Sequence, residues 1–342
     1  MIESDKRAVD ATFTDFKRGA ASSSVCYYFT GGLVGLPAAS IGMFTLMPLR
    51  GEGALRGVTN LSWPQLNDLV GECGSHFVGS NQTMKSDSAV PSETWRASIA
   101  PPSGQLRAED CWSTISHQAH LERDEDYAEL ARYLSVSIQA AGIRLRGVAK
   151  GHHAQLCWAL MDGKAAGTGF KNAPLFDLYA EFHSLATELC AARDHLANLA
   201  AGSVGAKSSI ESMARLVDWS GKPANTESRK VPMIASLLAA WGSDEHTGWL
   251  RRLGEMRNQM VHRQPMARNP EAAMLRLVEA NTKEGPICTV RLAPSIAGGL
   301  DMNDTPDPFV SFLYLYNEFE KLSREISQHA KYPVKLLSMY SA

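Results

Sequence analysis

Arg257, Asn258 and His262 stand close together in the segment running from Thr247 to His262. Their types suit phosphodiester chemistry on RNA that needs no metal. RNA carries its own nucleophile, the 2′-hydroxyl, so a protein need only move protons and stabilise charge at the crowded phosphorus. Histidine titrates near pH ~6.5 and can take or give a proton at neutral pH. Arginine offers a planar fork of donors to the non-bridging phosphate oxygens. Asparagine can orient the imidazole, the guanidinium or a water.

The element that must position these groups is one amphipathic helix, predicted over 247–262. At about 100° per residue, Trp249, Leu250, Leu253, Met256, Met260 and Val261 fall within an arc of roughly 140°. Arg257 projects into that arc, roughly 40° from Leu253. A guanidinium keeps its charge, so on an apolar face it demands a partner, water or a ligand. Ser243 or Asp244 is the expected cap, and Pro265 lies beyond the end. In a straight helix Arg257 and His262 differ by about 140°, so they converge only at a bent or frayed end or across two copies of the chain. Two motif helices facing each other would make a compact site and would place the apolar stripe at a dimer seam.

Arg257-Asn258-Gln-Met-Val-His262, near the end of a helix in a helical region, resembles the R-x4-6-H signature of HEPN-domain ribonucleases. A polar residue commonly follows the arginine in that family, and Asn258 fits. The resemblance covers roughly residues 105–335. It implies a mainly α fold, a HEPN-like helical bundle with an inserted β-hairpin, and a homodimer with the motif at its interface. It further implies metal-independent endoribonuclease activity without a cofactor, in a cytoplasmic toxin or anti-phage defence effector with an antitoxin or regulatory partner. On this reading Arg257 stabilises the phosphorane-like transition state, His262 is the general acid or base, and Asn258 orients. The products are a 2′,3′-cyclic phosphate and a 5′-hydroxyl. Arg252, Arg263 and Arg193 are the candidate RNA-binding residues, with Arg251 and Arg268 adding to a local basic stretch that suits a phosphate backbone.

The same residues admit other readings. Arg257 can pair with a buried carboxylate while His262 sits at a helix C-terminus, where partial negative charge suits it. The domain would then be a non-catalytic dimerisation or partner-binding module, or a nucleotide-binding relative serving another enzyme. A second match, Arg146 to His152-His153, lacks the polar residue after arginine and carries glycines, which suggests a basic turn or helix end. Arg193-Asp194-His195 reads as a solvated helix face or as a source of RNA contacts. Cys111, His117, His120, Glu122 and Asp124 do not close into a four-ligand pattern, and His152-His153 near Cys157 is equally incomplete. No metal is expected. GxxxxGK[ST], HExxH and GxSxG are all absent.

Around the motif, helices are expected at 109–118, at 124–148 with continuation toward Met161, at 175–201 behind Pro174, at 208–219, at 231–241 and at 307–330. Gly163 to Asn172, with three glycines, reads as a flexible connector. Strands at 273–280 and 287–292 flank a hairpin turn. Residues 1–104 form a distinct mixed or β-rich module of unassigned role, with short strands and one helix near 64–73. Pro101-Pro102-Ser103-Gly104 is the expected linker to a helical domain over 105–342.

Composition sets outer limits. The chain has 342 residues, 44% hydrophobic and 20% charged, with a net charge of -2. It has ample length for a core but no global basic field, so any nucleic acid is held by a local patch. Six scattered cysteines without a CxxC pair indicate reduced, mainly buried thiols. Val25 to Leu49 is uncharged and long enough to span a bilayer, but its glycines and prolines favour buried strands and turns. No membrane association is expected.

Overall fold

The computed structural model describes residues 23–84, 92–97, 105–206, 210–258, 260–261, 275–292 and 307–335. The chain is mainly α, with an antiparallel sheet region near the N-terminus. The strands are β1 (Ser23–Phe29), β2 (Val34–Pro37), β3 (Phe44–Leu49), β4 (Arg56–Leu61), β5 (Phe77–Met84) and β6 (Ser92–Ala97). They pair in the order β4-β3-β2-β1-β5-β6, antiparallel throughout. The uncharged stretch from Val25 to Leu49 is thus three strands and a tight corner. Among the described residues no helix is long and apolar enough to cross a membrane.

Helix α1 (Trp63–Glu72) starts where Gln65 accepts the Ser62 N–H at 2.9 Å, with Pro64 in its first turn. After the expected linker, which lies outside the described residues, come α2 (Ala108–Leu121) and the long α3 (Glu125–Met161). Asp124 caps α3 by accepting the Tyr127 N–H. Next are α4 (Leu175–Ser203), α5 (Met213–Ser220), α6 (Pro232–Trp241), α7 (Trp249–Asn258) and α8 (Pro308–Ser327). Strands β8 (Leu275–Thr282) and β9 (Gly285–Leu292) form the expected hairpin. The glycine-rich stretch expected to be a flexible connector instead supplies β7 (Gly169–Phe170), an edge strand on β8. Gly167 donates to the Leu277 carbonyl at 2.7 Å and holds it there.

Helices α3 and α4 form the central pair. Gly147 and Gly151 face α4, where an added Cβ would come within 2.5 Å of the Glu181 carboxyl carbon and 3.0 Å of Leu178. The Arg146 match is therefore neither a turn nor a helix end. Its glycines let two long helices approach, and the helix runs through them. His152 on the same helix is fully buried, its Nδ1 donating to the Val148 carbonyl at 2.9 Å.

The corner at Thr30 to Gly32 anchors the N-terminal sheet to α3. His153 donates from Nδ1 to the Gly32 carbonyl at 2.9 Å. Lys150 pairs with Glu93 of β6 at 3.4 Å, and Arg291 of β9 donates to the Cys73 carbonyl at 3.1 Å. Buried side chains from sheet, helices and hairpin form one continuous cluster.

Two buried titratable groups meet at the start of α8 and act in opposite directions on stability. Asp307 caps α8, accepting the Phe309 N–H at 3.0 Å, and burial pushes its carboxyl up to about 6. His152 stacks on the Phe309 ring at 4.5 Å, and burial pulls its imidazole down to about 4. The raised Asp307 contributes stability present below its unfolded value of about 3.9 and lost as pH rises through about 6. The depressed His152 contributes stability present above about pH 6.5 and lost as pH falls toward 4. Each window carries on the order of 3 kcal/mol, so in the native chain the two largely cancel. Asp307→Asn, which keeps the capping oxygen, is expected to raise the melting temperature at pH 7 and to leave a steep loss on acidification from 6.5 to 4. Melting curves across that range decide it; equal acid slopes in the native chain and the variant would reject the assignment.

Candidate active site

The motif helix is set by the loop before it. Gly242 takes an extended conformation at the positive φ of 86°, which glycine alone adopts readily, and stops α6, and a bridge joins Gly242 to Thr247. Within this loop the Ser243 hydroxyl accepts the His246 N–H at 3.2 Å, and Asp244 lies 3.7 Å from Arg251. Neither residue caps α7 as expected: Ser243 is engaged inside the loop, Asp244 faces Arg251 within the helix, and both lie at least five residues before its first residue. The helix begins at Trp249, two residues later than predicted, after Gly248 packs against the end of α6 where a Cβ would lie 2.2 Å from the Ala240 carbonyl.

Leu250, Leu253, Gly254 and Met256 are buried, as is Met260 beyond the helix, and Trp249 is half-buried. Arg257 is half-buried, and its helical phase places it within this stripe, between Leu253 and Leu250. The stripe packs against α4, α6 and α8 of the same chain. It does not lie bare for a dimer seam, because enough helices surround it to cover it without a second subunit.

Asn258 engages the arginine: its side-chain oxygen accepts from Arg257 Nη1 at 3.0 Å. Of the three orienting roles open to it, this contact is the one to the guanidinium. Beyond Asn258, Met260 and Val261 take a wider, π-type geometry. His262, Arg263 and Arg268 lie outside the described residues.

Arg252 is exposed on α7. Arg251 is tied to Glu255 at 3.3 Å as well as to Asp244. Arg193 is not on a solvated face. It is buried on α4 with Nε and Nη2 both 2.9 Å from Asp194 Oδ1, and its guanidinium lies 6.0 Å from the Trp241 ring centre. His195 is half-buried beside Tyr133, and burial lowers its pKa.

The α4–α7 seam therefore brings together Arg257, Arg193 and Cys190. The Cys190 thiol donates to the Leu253 carbonyl at 3.8 Å. Burial pushes that thiol up to about 11, while the positive charges of Arg193 and Arg257 pull it the other way. Sequence reasoning passed over Cys190, Trp241 and Gly254. A glycine on the buried face of an amphipathic helix signals a close approach, and Gly254 carried that signal.

Several of the remaining candidates are engaged in local contacts. Asp124 accepts the Tyr332 hydroxyl at 2.9 Å and pairs with Lys331 besides capping α3. His120 pairs with Glu125 at 2.9 Å, and Cys157 lies 3.6 Å from His153 Nε2. Among the described residues no group of three or more such side chains is arranged to hold a metal ion. No protein-family model matches the chain, and no curated protein and no solved structure matches it either.

Proposed function

We propose that the chain is a HEPN-like, metal-independent endoribonuclease that cleaves RNA by attack of the 2′-hydroxyl on the adjacent phosphate. The observation that carries this reading is Arg257 itself: half-buried on an otherwise apolar helix face, it has its guanidinium oriented by the neutral oxygen of Asn258. That contact orients the fork, and an oriented guanidinium fork suits the non-bridging oxygens of a phosphorane. His262 supplies the proton transfer. Arg252 and Arg263 guide the backbone. A defence or toxin role, an antitoxin or regulatory partner, a homodimer and a cytoplasmic site of action belong to the same proposal and rest on the resemblance of the motif. The test is incubation of the purified chain with labelled RNA in EDTA, followed by analysis of the ends. Cleavage leaving a 2′,3′-cyclic phosphate and a 5′-hydroxyl supports the proposal; cleavage that appears only with added metal, or leaves a 5′-phosphate, contradicts it.

A non-catalytic dimerisation or partner-binding module is the second reading. It is favoured by Tyr133, Val136 and Ile143, which lie exposed along one side of α3. Monomeric behaviour in sedimentation, together with RNA cleavage, would remove it.

A further inference from the structure

Arg193 sits where a charged side chain is costly. It is only 9% exposed, on a helix whose neighbours are Ala192 and Leu196. Three helices converge on it. Asp194 Oδ1 accepts both Nε and Nη2 of Arg193, and also the Met213 N–H at 3.1 Å at the first residue of α5. The Trp241 ring at the end of α6 covers the guanidinium. The third contact is with α7: a Cβ built on Gly254 would lie 2.4 Å from Arg193 Nη1. That atom is the tip of a long side chain, but this tip is held by Asp194 and Trp241 and has little room to retreat. Gly254 and Arg257 are three apart on α7 and so share a side of the helix. Both guanidiniums act on the same buried thiol, Cys190.

We propose that Arg193, braced by Asp194, is a positioning residue for Arg257, and that Gly254 is the notch through which it acts. The guanidinium of Arg193 fills the space of the missing side chain and sets the depth and rotation of α7, and with them the direction in which Arg257 points. The catalytic consequence rests on the nuclease reading above; the positioning itself does not.

The experiment follows the Nε–Hε NMR signal of Arg257 in the full chain, assigned by its loss in Arg257→Lys, alongside RNA cleavage kinetics. Gly254→Ala, Arg193→Lys and Asp194→Asn are each expected to shift that signal. Arg193→Lys keeps the charge but loses the planar fork. The same variants are expected to lower kcat on the order of tenfold with KM unchanged, as loss of aim rather than of binding requires. Leu185→Val, a core change elsewhere on α4, is the control: it lowers the melting temperature while leaving the Arg257 signal and kcat in place. An Arg257 signal unmoved by Gly254→Ala and Arg193→Lys overturns the proposal, as does a kcat that falls only in step with the folded fraction. If the signal shifts while the native chain cleaves no RNA in EDTA, the positioning stands and the nuclease reading falls.

Discussion

His262→Ala is expected to reduce RNA cleavage by roughly 10²–10⁴-fold, the usual worth of a positioned general acid or base. Arg257→Ala is expected to cost about 10²–10³-fold, the loss seen when one donor to a developing oxyanion is removed. The double variant should be little worse than the poorer single one, because groups that act as a unit are far from additive. Arg257→Lys keeps the charge but not the fork and should recover only part of the loss. The pH profile separates chemistry from folding. If His262 is the general base, the native rate rises with pH through about 6.5 and levels off, and the residual rate of His262→Ala lacks that limb. Single-turnover cleavage of a labelled RNA, with melting curves on each variant, measures all of this. Native and His262→Ala proteins cleaving at the same rate would remove His262 from the mechanism.

Gly32→Ala is expected to destabilise the chain by on the order of 3 kcal/mol and to lower its melting temperature by roughly 4 °C. Two causes combine. Gly32 has φ 88°, a left-handed conformation that costs an L-residue about 1–2 kcal/mol. Its added Cβ would also lie 2.6 Å from the His152 carbonyl oxygen, which is backbone in the middle of α3 and has nowhere to go. Gly163→Ala isolates the first cause: its φ is 69°, but nothing lies within 4 Å of the added Cβ. Its expected cost is therefore only about 1 kcal/mol. Because Gly32 carries the sheet corner that meets α3, Gly32→Ala should also raise hydrogen exchange in β1 and β2. Equal melting temperatures for the two variants would mean that the corner yields and that the sheet is not pinned there.

The same corner marks the boundary of what patterning can convey. Long elements were legible because their periodicity repeats over many turns. Residues 124–148 with continuation toward Met161, 175–201 and 307–330 read as helices, and they form Glu125–Met161, Leu175–Ser203 and Pro308–Ser327. The hairpin was legible from two β-branched runs around a turn. What escaped were features whose meaning depends on a distant partner. Ser243 has the chemistry of a cap, but a bridge five residues across draws its hydroxyl into the loop instead. Gly147 and Gly151 look like helix breakers until α4 fills the space beside them. Arg193 looks like a surface charge until Asp194, Trp241 and Gly254 close around it.

By itself the sequence determined that Arg257 lies on the apolar face of a helix with Asn258 beside it, because helical phase is a local property of spacing. It also determined the mainly α character of the chain and the strand-rich start, since periodicities of 3.6 and 2 are written residue by residue. Tertiary structure alone decided what covers that apolar stripe and what surrounds the arginine. The stripe is buried by α4, α6 and α8 of the same chain, and Arg193 is brought from α4 to within contact of Gly254, some sixty residues away in sequence. Such contacts depend on how helices pack, and packing is set by shape complementarity between segments that carry no local mark of one another.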